Sequence, residues 1–509
     1  MSSTSSAAQG RSFAAVDLGA TSGRVIVGTV VGEPGAERVE LTEVGRFPNE
    51  PVLVPATRGD ERAVLTWDVP ALWRGILAGL RDAVARFGPL AGIGIDSWAV
   101  DYGMVDGEGR LLGNPTCYRD MRTDPVLARV FDLVSAADQY AVNGLQVQPF
   151  TTAFQLLAET RLEQADRVLL LPDLLGAWLT GVERAEITNA STTGLLDAAY
   201  RTWSTDLAER LGLPARVLPE LVAPGELLGH VRPGLAAVLG VPDGELLPVW
   251  TVGSHDTASA VVAVPMDRSD AAYISCGTWS LVGLELDEPV LTEASRAANV
   301  TNEAGVDATI RYLKNVMGLW VLTETMRGWA AAGREVPLAD ALAQAATVEP
   351  LRTVVDIDHA SLLPPGDMPA RLASLARATG QPVPETVGEV VRCILDSLAL
   401  AYRRAVREVS ALADRSVAVV HVVGGGVHNE ALMQLAADAI GVPVVTGPAE
   451  GAALGNVLVQ ARAAGVLHGT LGDLRRVVER STPLRRYEPG AGDVSTPDAW
   501  DDAERRAHP

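Results

Sequence analysis

The chain has 509 residues and is acidic: 63 Asp and Glu stand against 42 Lys and Arg, a formal net charge of −21 at pH 7. So negative a surface repels polyanions, which argues against nucleic-acid and anionic-membrane partners. The length predicts two to four domains rather than one core. Three scattered cysteines form neither a disulfide framework nor a C-x-x-C metal site. Because we find no secretory signal and no apolar run long enough to cross a membrane, we expect a cytoplasmic protein.

Several common nucleotide and metal motifs are missing from the sequence. The one lysine, Lys314, is followed by Asn315, so a Gly-Lys-Ser/Thr phosphate loop cannot occur. There is no G-x-G-x-x-G dinucleotide fingerprint and no H-E-x-x-H zinc motif. P-loop NTPases, standard dinucleotide dehydrogenases and zinc proteases of that type are therefore disfavoured.

In chain order, residues 12–32 predict a strand, a tight turn of small and hydroxyl residues, and a second strand, with Asp17 at the end of the first. Residues 68–87 carry apolar side chains at helical spacing, with Asp68 as N-cap and Pro70 in the first turn. Two short strands follow, with Asp96 at the end of the first. From about 124 to 215 the pattern is mostly helical.

The second half repeats this arrangement. Residues 271–287 again predict strand, small-residue turn and strand, and residues 418–448 predict strand, glycine turn, helix and strand. The repetition indicates a duplicated α/β domain with a boundary near 248–252. We therefore divide the chain into a disordered tail, two domains and a solvated tail, namely 1–11, 12–250, 251–486 and 487–509.

Taken together, the two hairpins, the segment "GGGVHNE" and two acids at strand ends suit phosphoryl transfer. Small residues let backbone N–H groups approach phosphate oxygens, and a helix N-terminus favours negative ligand atoms. Asp17 and Asp256 supply carboxylates of the kind that hold Mg²⁺ and orient an acceptor hydroxyl. Taken singly, each feature has an ordinary interpretation: a β-hairpin, a tight turn, or, for Asp256, a helix N-cap.

The residues also carry a family resemblance, in order along residues 13–460. These segments resemble the FGGY carbohydrate kinases, and within that family the rhamnulokinases. The segments that carry the resemblance include AVDLGATSGR, GIGIDSWAVDYGMVD, YRDMRTD, GSHDTASA, YISCGTWSLVG, TNEAG, RYLKNVMGLW, PPGDMP and VVGGGVHNEALMQLAADAIGVPVVTGPAEGAALGN.

The resemblance implies an actin/hexokinase-like fold of two ribonuclease-H-like α/β lobes, with ATP and sugar in the cleft. It implies that Asp256 is the catalytic base. It also implies that Asp17, together with Asp256, holds Mg²⁺, commonly through water. It places His255, Thr257 and Asn315 at the sugar or in the cleft. The nucleotide side would contain Ala20, Thr21, Ser22, Gly23, Arg24, Thr278, Gly424 and Gly425.

Two positions depart from the family pattern. Ala99 stands where these kinases usually have glycine in contact with sugar, and Thr323 stands where many have glutamine near the nucleotide. Trp98 is either a stacking surface for the sugar or a core residue, and Asp96 and Asp101 are either hydroxyl ligands or turn acids. His255 is either a second base or a hydrogen-bonded structural residue. The departures affect specificity rather than the reaction.

We therefore expect an ATP- and Mg²⁺-dependent kinase that phosphorylates the 1-hydroxyl of a ketose, with L-rhamnulose as the first substrate. An apolar spot for its methyl group would come from Trp98 or Trp320. Alternatives are kinases of the same family acting on fuculose, xylulose or a linear polyol-like molecule, an actin- or chaperone-like switch ATPase, and a non-catalytic sugar-binding regulator. The oligomeric state is expected to be monomer or homodimer.

Overall fold

The computed structural model describes residues 11–55, 63–266, 269–492 and 496–508. Within these ranges the strands are β1 Arg11–Leu18, β2 Ser22–Val31, β3 Arg38–Pro48, β4 Val52–Pro55, β5 Ala63–Thr66, β6 Gly92–Ser97, β7 Tyr102–Val105, β8 Arg167–Leu170, β9 Ala185–Glu186, β10 Leu221–Val222, β11 Leu227–His230, β12 Pro248–Trp250, β13 Ala271–Cys276, β14 Ser280–Leu286, β15 Thr301–Ala304, β16 Ile310–Val316, β17 Val419–Val423, β18 Val444–Thr446 and β19 Arg485–Tyr487.

The α-helices of the described residues separate these strands. They are α1 Val69–Phe87, α2 Asp124–Leu133, α3 Ala136–Asn143, α4 Thr152–Leu157, α5 Leu171–Thr180, α6 Ile187–Ala190, α7 Thr205–Arg210, α8 Pro233–Leu239, α9 Asp256–Val262, α10 Glu293–Ala297, α11 Trp320–Ala331, α12 Leu338–Ala345, α13 Met368–Ala378, α14 Val387–Leu412, α15 Glu430–Ile440, α16 Gly451–Ala463, α17 Leu471–Ser481 and α18 Pro497–Ala507. No helix of the described residues is long and apolar enough to span a membrane.

Two compact units form the fold, and each is assembled from separate stretches of chain. The first unit contains Met1–Ala263, Glu285–Tyr312 and Gly451–Thr482, and the second contains Val264–Leu284, Leu313–Glu450 and Pro483–Pro509. This differs from the two consecutive domains proposed above. The difference arises because α16 and α17, late in the chain, pack with the first unit, a pairing that local sequence patterns do not encode.

The first unit is built on a six-stranded sheet with the order β11-β12-β6-β1-β2-β3. Strand β1 is antiparallel to β2 and parallel to β6, with Asp17 in register with Asp96. On one face of β1, Val16 and its neighbours pack with α1; on the other, Phe13 and Ala15 pack with α16 and α17. Both faces of β1 are covered, which explains its unbroken apolar run. The predicted strand–turn–strand and the helix capped by Asp68 are both present.

The second unit contains most of a seven-stranded sheet with the order β15-β16-β14-β13-β17-β18-β19. Strand β13 pairs antiparallel with β14 and parallel with β17, so the predicted second hairpin and the strand before the three glycines lie side by side. The longest helix, α14, begins with a capping box in which Thr386 and Glu389 satisfy each other's backbone N–H groups. The same strand–turn–strand motif therefore occurs in both units, as the repeated pattern predicts.

Three local expectations differ from the structure. Residues 1–10 of the predicted disordered tail lie outside the described residues, and Arg11 is already in β1. The predicted solvated tail contains α18, whose Trp500 is fully buried, because one apolar face is enough to dock an otherwise polar helix. The stretch 124–215, predicted to be mostly helical, also contains strands β8 and β9.

Candidate active site

The first hairpin of the first unit presents Asp17 and a turn of small residues. Asp17 is 3% exposed and forms an ion pair with Arg24, its register partner on β2. The turn is closed by the Gly19 N–H, which donates to the Ser22 carbonyl at 2.9 Å. Thr21 is exposed at the tip of this turn of small and hydroxyl residues, which suits a phosphate-binding turn.

A buried asparagine that the sequence interpretation missed supports this turn. The Asn49 side chain donates to the Gly19 carbonyl at 2.8 Å, and its backbone N–H donates to the Thr21 carbonyl at 3.1 Å. Asn49 is 3% exposed. These two bonds from Asn49 hold the carbonyl groups of Gly19 and Thr21 and so fix the shape of the turn.

Asp96 lies beside Asp17 on the neighbouring parallel strand and is fully buried. Burial raises the pKa of Asp96 well above the usual carboxyl range, and the charges of Asp17 and Asp256 raise it further, although a hydrogen bond from Asn456 opposes them. Asp17, Asp96 and Asp256 are therefore close enough for their charges to interact. The structure places Asp96 at the end of β6, as the sequence predicts from an apolar strand that ends in an acid.

Asp256 is the first residue of α9, and its N-cap is His255. The N-cap interpretation of Asp256 is therefore wrong, because His255 occupies the N-cap position. Oδ1 of Asp256 accepts a hydrogen bond from the Thr257 hydroxyl at 3.2 Å and lies 3.5 Å from Nε2 of His255. The Asp256 side chain is 31% exposed, so it can reach a ligand. Burial raises its pKa, with His255 lowering it and Asp17 raising it again.

A buried ion pair lies behind His255. Nδ1 of His255 is 3.1 Å from an Arg311 guanidinium nitrogen and 3.2 Å from a Glu303 carboxylate oxygen, and Arg311 and Glu303 are 3.0 Å apart. Burial opposes ionisation of Glu303, but the charges of Arg311 and His255 outweigh it and lower its pKa. His255 therefore bridges this pair and Asp256, as the interpretation of His255 as a hydrogen-bonded residue predicts. Glu303 and Arg311 follow His255 by about fifty residues and lie in the segments TNEAG and RYLKNVMGLW, but no local pattern links them to His255.

A second buried glutamate holds the segment that precedes Asp256. Oε2 of Glu186 accepts from the Ser254 N–H at 2.9 Å and from the Ser254 hydroxyl at 2.7 Å, and Oε1 accepts from the Thr188 N–H at 2.9 Å. The Ser254 carbonyl in turn accepts from the Ser97 N–H at 2.9 Å. The catalytic candidate is thus held by the turn at 186–189 and by the end of β6, which fixes its position against Asp96.

Trp98 and Ala99 lie in a tight turn after β6 that is organised by Asp101. Oδ2 of Asp101 accepts from the indole N–H of Trp67 at 2.6 Å and of Trp98 at 3.0 Å. Burial raises the pKa of Asp101 to about 6 despite these bonds. Trp98 is 6% exposed and packs 4.5 Å from Trp67, as a core tryptophan does. Val100, which lies between Ala99 and Asp101 in this turn, has φ 68°, a left-handed conformation that is energetically unfavourable for a β-branched residue.

In the second unit, the turn after β13 lies against the glycine turn after β17. A Cβ on Gly426 would lie 2.1 Å from the Cys276 sulfur, and one on Gly424, whose φ is 90°, would lie 2.7 Å from the Cys276 carbonyl. Gly425 is exposed, and a Cβ added there would meet no described atom beyond its chain neighbours within 4 Å. Gly424 and Gly426 therefore serve close packing, whereas Gly425 is free to face a ligand. A short 3₁₀ turn, Gly425–His428, precedes α15.

In the second unit, the segment that opens α11 is bonded to the turn that contains Thr278. The N–H groups of Leu319 and Trp320 donate to the Gly277 and Thr278 carbonyls at 3.1 and 3.0 Å. Asn315 lies on β16, and Thr323 is exposed in the first turns of α11. Lys314 lies on β16 and forms an ion pair with Glu408.

The first unit offers carboxylates that fit a divalent cation. No three His, Cys, Asp or Glu side chains of the described residues form a ready-made metal cage. Asp17 and Asp96 nevertheless lie side by side, and Oδ1 of Asp96 is buried with no hydrogen-bond partner in the part of the chain that the structure describes. Because Mg²⁺ prefers carboxylate oxygens and keeps several waters, this donor set fits a hydrated ion.

In the first unit Asp17, Asp256, His255 and Thr257 are close enough to interact, and the turn 20–24 follows β1. In the second unit the turn after β13, which contains Thr278, lies against Gly424 and is bonded to the start of α11, the helix of Thr323. Trp98 and Ala99 directly follow β6, the strand of Asp96. Asn49 and Glu186 had no local signal in the sequence, because their partners are distant along the chain; Glu303 and Arg311 lie in segments that carry the family resemblance, but their contact with His255 spans about fifty residues.

Comparison with known proteins places the chain in a family. Residues 13–263 match the N-terminal domain of the FGGY family of carbohydrate kinases, and residues 272–464 match its C-terminal domain. A protein named rhamnulokinase from Bacteroides thetaiotaomicron is 39% identical over 97% of this chain and 98% of its own length. One of the same name from Oceanobacillus iheyensis is 36% identical over 93% of this chain and 97% of its own length.

Solved structures agree on the fold at much lower identity. A xylulose kinase from Lactobacillus acidophilus has a TM-score of 0.76 at 17% identity, covering 98% of this chain and 96% of that one. A Plasmodium falciparum glycerol kinase with ADP has a TM-score of 0.74 at 15% identity, covering 98% and 99%. The expected pair of ribonuclease-H-like α/β domains is confirmed. The chain belongs to the FGGY family of carbohydrate kinases and is a sugar phosphotransferase.

Proposed function

We propose that this protein transfers the γ-phosphoryl group of ATP to the 1-hydroxyl of a ketose. The preferred ketose is L-rhamnulose, and the product is L-rhamnulose 1-phosphate. The substrate is supported by relatives named rhamnulokinase that share 36–39% identity with nearly the whole chain. The observation that carries the chemistry is Asp256, a partly exposed carboxylate with a raised pKa at the start of α9. We further propose a cytoplasmic monomer or homodimer.

The acceptor side of the reaction belongs to residues around Asp256. Its free carboxylate oxygen takes the proton of the attacking hydroxyl, and its raised pKa brings it nearer the operating pH of a general base. His255 and Thr257 contact Asp256 and bind sugar hydroxyls beside it. Trp98 and Ala99 border the sugar, and Asn315 contacts substrate or nucleotide from the second unit. Trp320 remains a further candidate for the methyl group.

The donor side uses backbone N–H groups and hydroxyls. The turn of residues 20–24 receives phosphate oxygens, with Arg24 adding a positive charge next to Asp17. Thr278 supplies a second hairpin hydroxyl, Thr323 approaches the nucleotide, and Gly424 and Gly425 line its adenosine side. Asp17, with Asp256, would hold Mg²⁺, which when bound neutralises the charge of the phosphates.

The proposal is tested by measuring ADP release from ATP with a panel of ketoses and polyols. We expect ADP formation that depends on added sugar and is fastest with L-rhamnulose, and a sugar 1-phosphate as the product in mass and NMR spectra. Preference for xylulose, fuculose or a linear polyol would replace the substrate and keep the reaction. ADP release that ignores sugar would reject the kinase in favour of a switch ATPase.

A further inference from the structure

In the second unit, residues 317–319 form a short connector between β16 and α11. The connector packs tightly against the turn that contains Thr278. Gly318 has φ 62°, a left-handed conformation that favours glycine, and a Cβ there would lie 2.6 Å from the Thr278 carbonyl oxygen. Any side chain at Gly318 would therefore displace either the connector or the Thr278 turn.

The start of α11 depends on the same turn for its hydrogen bonds. The first N–H groups of an α-helix need acceptors from outside the helix. Leu319 occupies the N-cap of α11, and its apolar side chain cannot accept from them. Instead, the Leu319 and Trp320 N–H groups donate to the Gly277 and Thr278 carbonyls at 3.1 and 3.0 Å. The connector and the Thr278 turn therefore hold each other, and a shift of one moves the other.

A carboxylate from a separate stretch of the second unit fixes the connector. Oδ1 of Asp358 accepts from the N–H of Met317, a buried residue, at 2.7 Å. A buried backbone N–H is costly to leave without an acceptor, so this bond favours one position of the connector. The other oxygen, Oδ2, lies 3.4 Å from a guanidinium nitrogen of Arg404 on α14. Asp358 therefore ties the connector to α14.

Asp358 is placed to affect geometry more than stability. Its side chain is 26% exposed and that of Arg404 is 30% exposed, so water screens their ion pair, which contributes little to folding. Neighbouring Asp356 lies 3.5 Å from the same guanidinium, and its Oδ1 accepts from the Asp358 N–H at 3.2 Å. Asp356 thus shares the arginine, but the connector N–H is bonded to Asp358.

We propose that Asp358 is a positioning residue for the nucleotide: it holds the connector 317–319 through Met317, and the connector holds the Thr278 turn where a phosphate of ATP binds. The inference rests on the proposed kinase function, in which Thr278 contacts the nucleotide. Loss of the bond to Met317 moves the turn and weakens nucleotide binding. Sugar binding changes much less, because most of the proposed sugar contacts belong to the first unit.

The test compares Asp358→Ala, which removes the acceptor of the Met317 N–H, with Asp358→Asn, whose amide oxygen can still accept from it. We expect Asp358→Ala to raise the KM for ATP and the Kd of ADP at least tenfold, while the KM for sugar changes less than twofold. Asp358→Asn should recover most of the loss. The matched control is Asp356→Asn, which removes a carboxylate from the same Arg404 without touching the connector, and it should behave like the wild type. Purely structural damage would lower Tm and the active fraction and would not raise the KM for ATP alone.

Three outcomes would overturn the inference. They are a folded Asp358→Ala protein with unchanged ADP affinity, an equal rise in KM for ATP and for sugar, and an Asp358→Asn protein as impaired as Asp358→Ala, which would assign the effect to the ion pair with Arg404. If Asp358→Ala does not fold, Asp358→Glu decides, because it keeps the charge beside Arg404 and displaces the oxygen that accepts from Met317; unchanged ADP affinity there would also overturn the inference. ADP binding is measured by calorimetry and needs no turnover. A wild type that binds ADP but shows no sugar-dependent ADP release would therefore reject the kinase function alone.

Discussion

Replacing Asp256 by Asn tests the proposed base with little disturbance of the fold. An asparagine side-chain oxygen can still accept the hydrogen bond that the Thr257 hydroxyl donates to Oδ1 of Asp256 at 3.2 Å. The side chain is 31% exposed, so the new amide is not trapped without partners. The substitution removes the proton-accepting oxygen and keeps the size and position of the group.

The expected loss follows from the role assigned to the carboxylate. A positioned general base contributes about 10²–10⁴ in rate, or about 2.7–5.4 kcal/mol of activation free energy. Folding should not suffer. The pKa of Asp256 is raised in the folded protein. At a pH between the unfolded-state and folded-state pKa values, the folded protein therefore holds a proton that the unfolded chain has lost. The free energy of unfolding falls as pH rises through this range. At neutral pH the ionised group lowers stability, and Asn removes this cost.

The assay is steady-state ADP release with saturating sugar, together with ATP affinity and a thermal melt. We expect kcat to fall by the stated factor, ATP affinity to be retained, and Tm to be equal to or above that of the wild type. Asp206→Asn is the matched control, because Asp206 lies in the first turn of α7 with its side chain 81% exposed. A kcat for Asp256→Asn within threefold of the wild type would remove Asp256 from the mechanism.

The remaining predictions concern specificity, the lone lysine and pH. Ala99→Gly should change the ranking of kcat/KM among ketoses by up to about 1–3 kcal/mol, the effect of one methyl group in a pocket, and a flat ranking would place Ala99 outside it. Lys314→Arg should lower kcat/KM at least tenfold, about 1.4 kcal/mol, at unchanged Tm. The reason is that the N–H donors of a planar guanidinium point in different directions from those of a compact ammonium. Unchanged kinetics would mean that Lys314 serves only to pair with Glu408. Asp101 has a folded pKa of about 6 against 3.8, so its contribution to stability is full below pH 4 and falls by about 3 kcal/mol as pH rises through 6. Denaturant titrations of the wild type and Asp101→Asn at pH 4 and 7 should differ by that amount, and parallel curves would contradict it.

The sequence patterns predicted the elements that are determined locally. Strand, turn and strand around Asp17, the capped helix α1, and the repeated hairpin at 271–286 each follow from periodicity and turn residues within about twenty positions. The candidate roles of Asp17 and Asp256 came from strand ends and the family resemblance. They remain predictions about chemistry, although the structure brings the two carboxylates into one neighbourhood.

The parts that could not be predicted depend on contacts between distant residues. Glu186 and Ser254 are separated by 68 positions, and Asp96 and Asn456 by 360, so neither pair leaves a local signature. The stretch "RYLKNVMGLW" was ambiguous because a short apolar run suits a strand as well as a helix, and pairing within the sheet decided for β16. The burial of Trp500 could not be predicted either, because polar residues dominate the composition of α18 around it.

The interleaving of the two units constrains how the protein can be made. Helices α16 and α17 contribute Leu454, Val457 and Leu474 to the core that covers one face of β1, although they are synthesised more than four hundred residues after it. A nascent chain therefore cannot complete its first unit until residue 482 has left the ribosome, and until then that face of the sheet lacks its native cover. Cutting the gene near residue 250 would produce two incomplete fragments rather than two independent domains. Fluorescent or affinity tags that must sit inside the chain are better placed in surface loops than at the apparent midpoint.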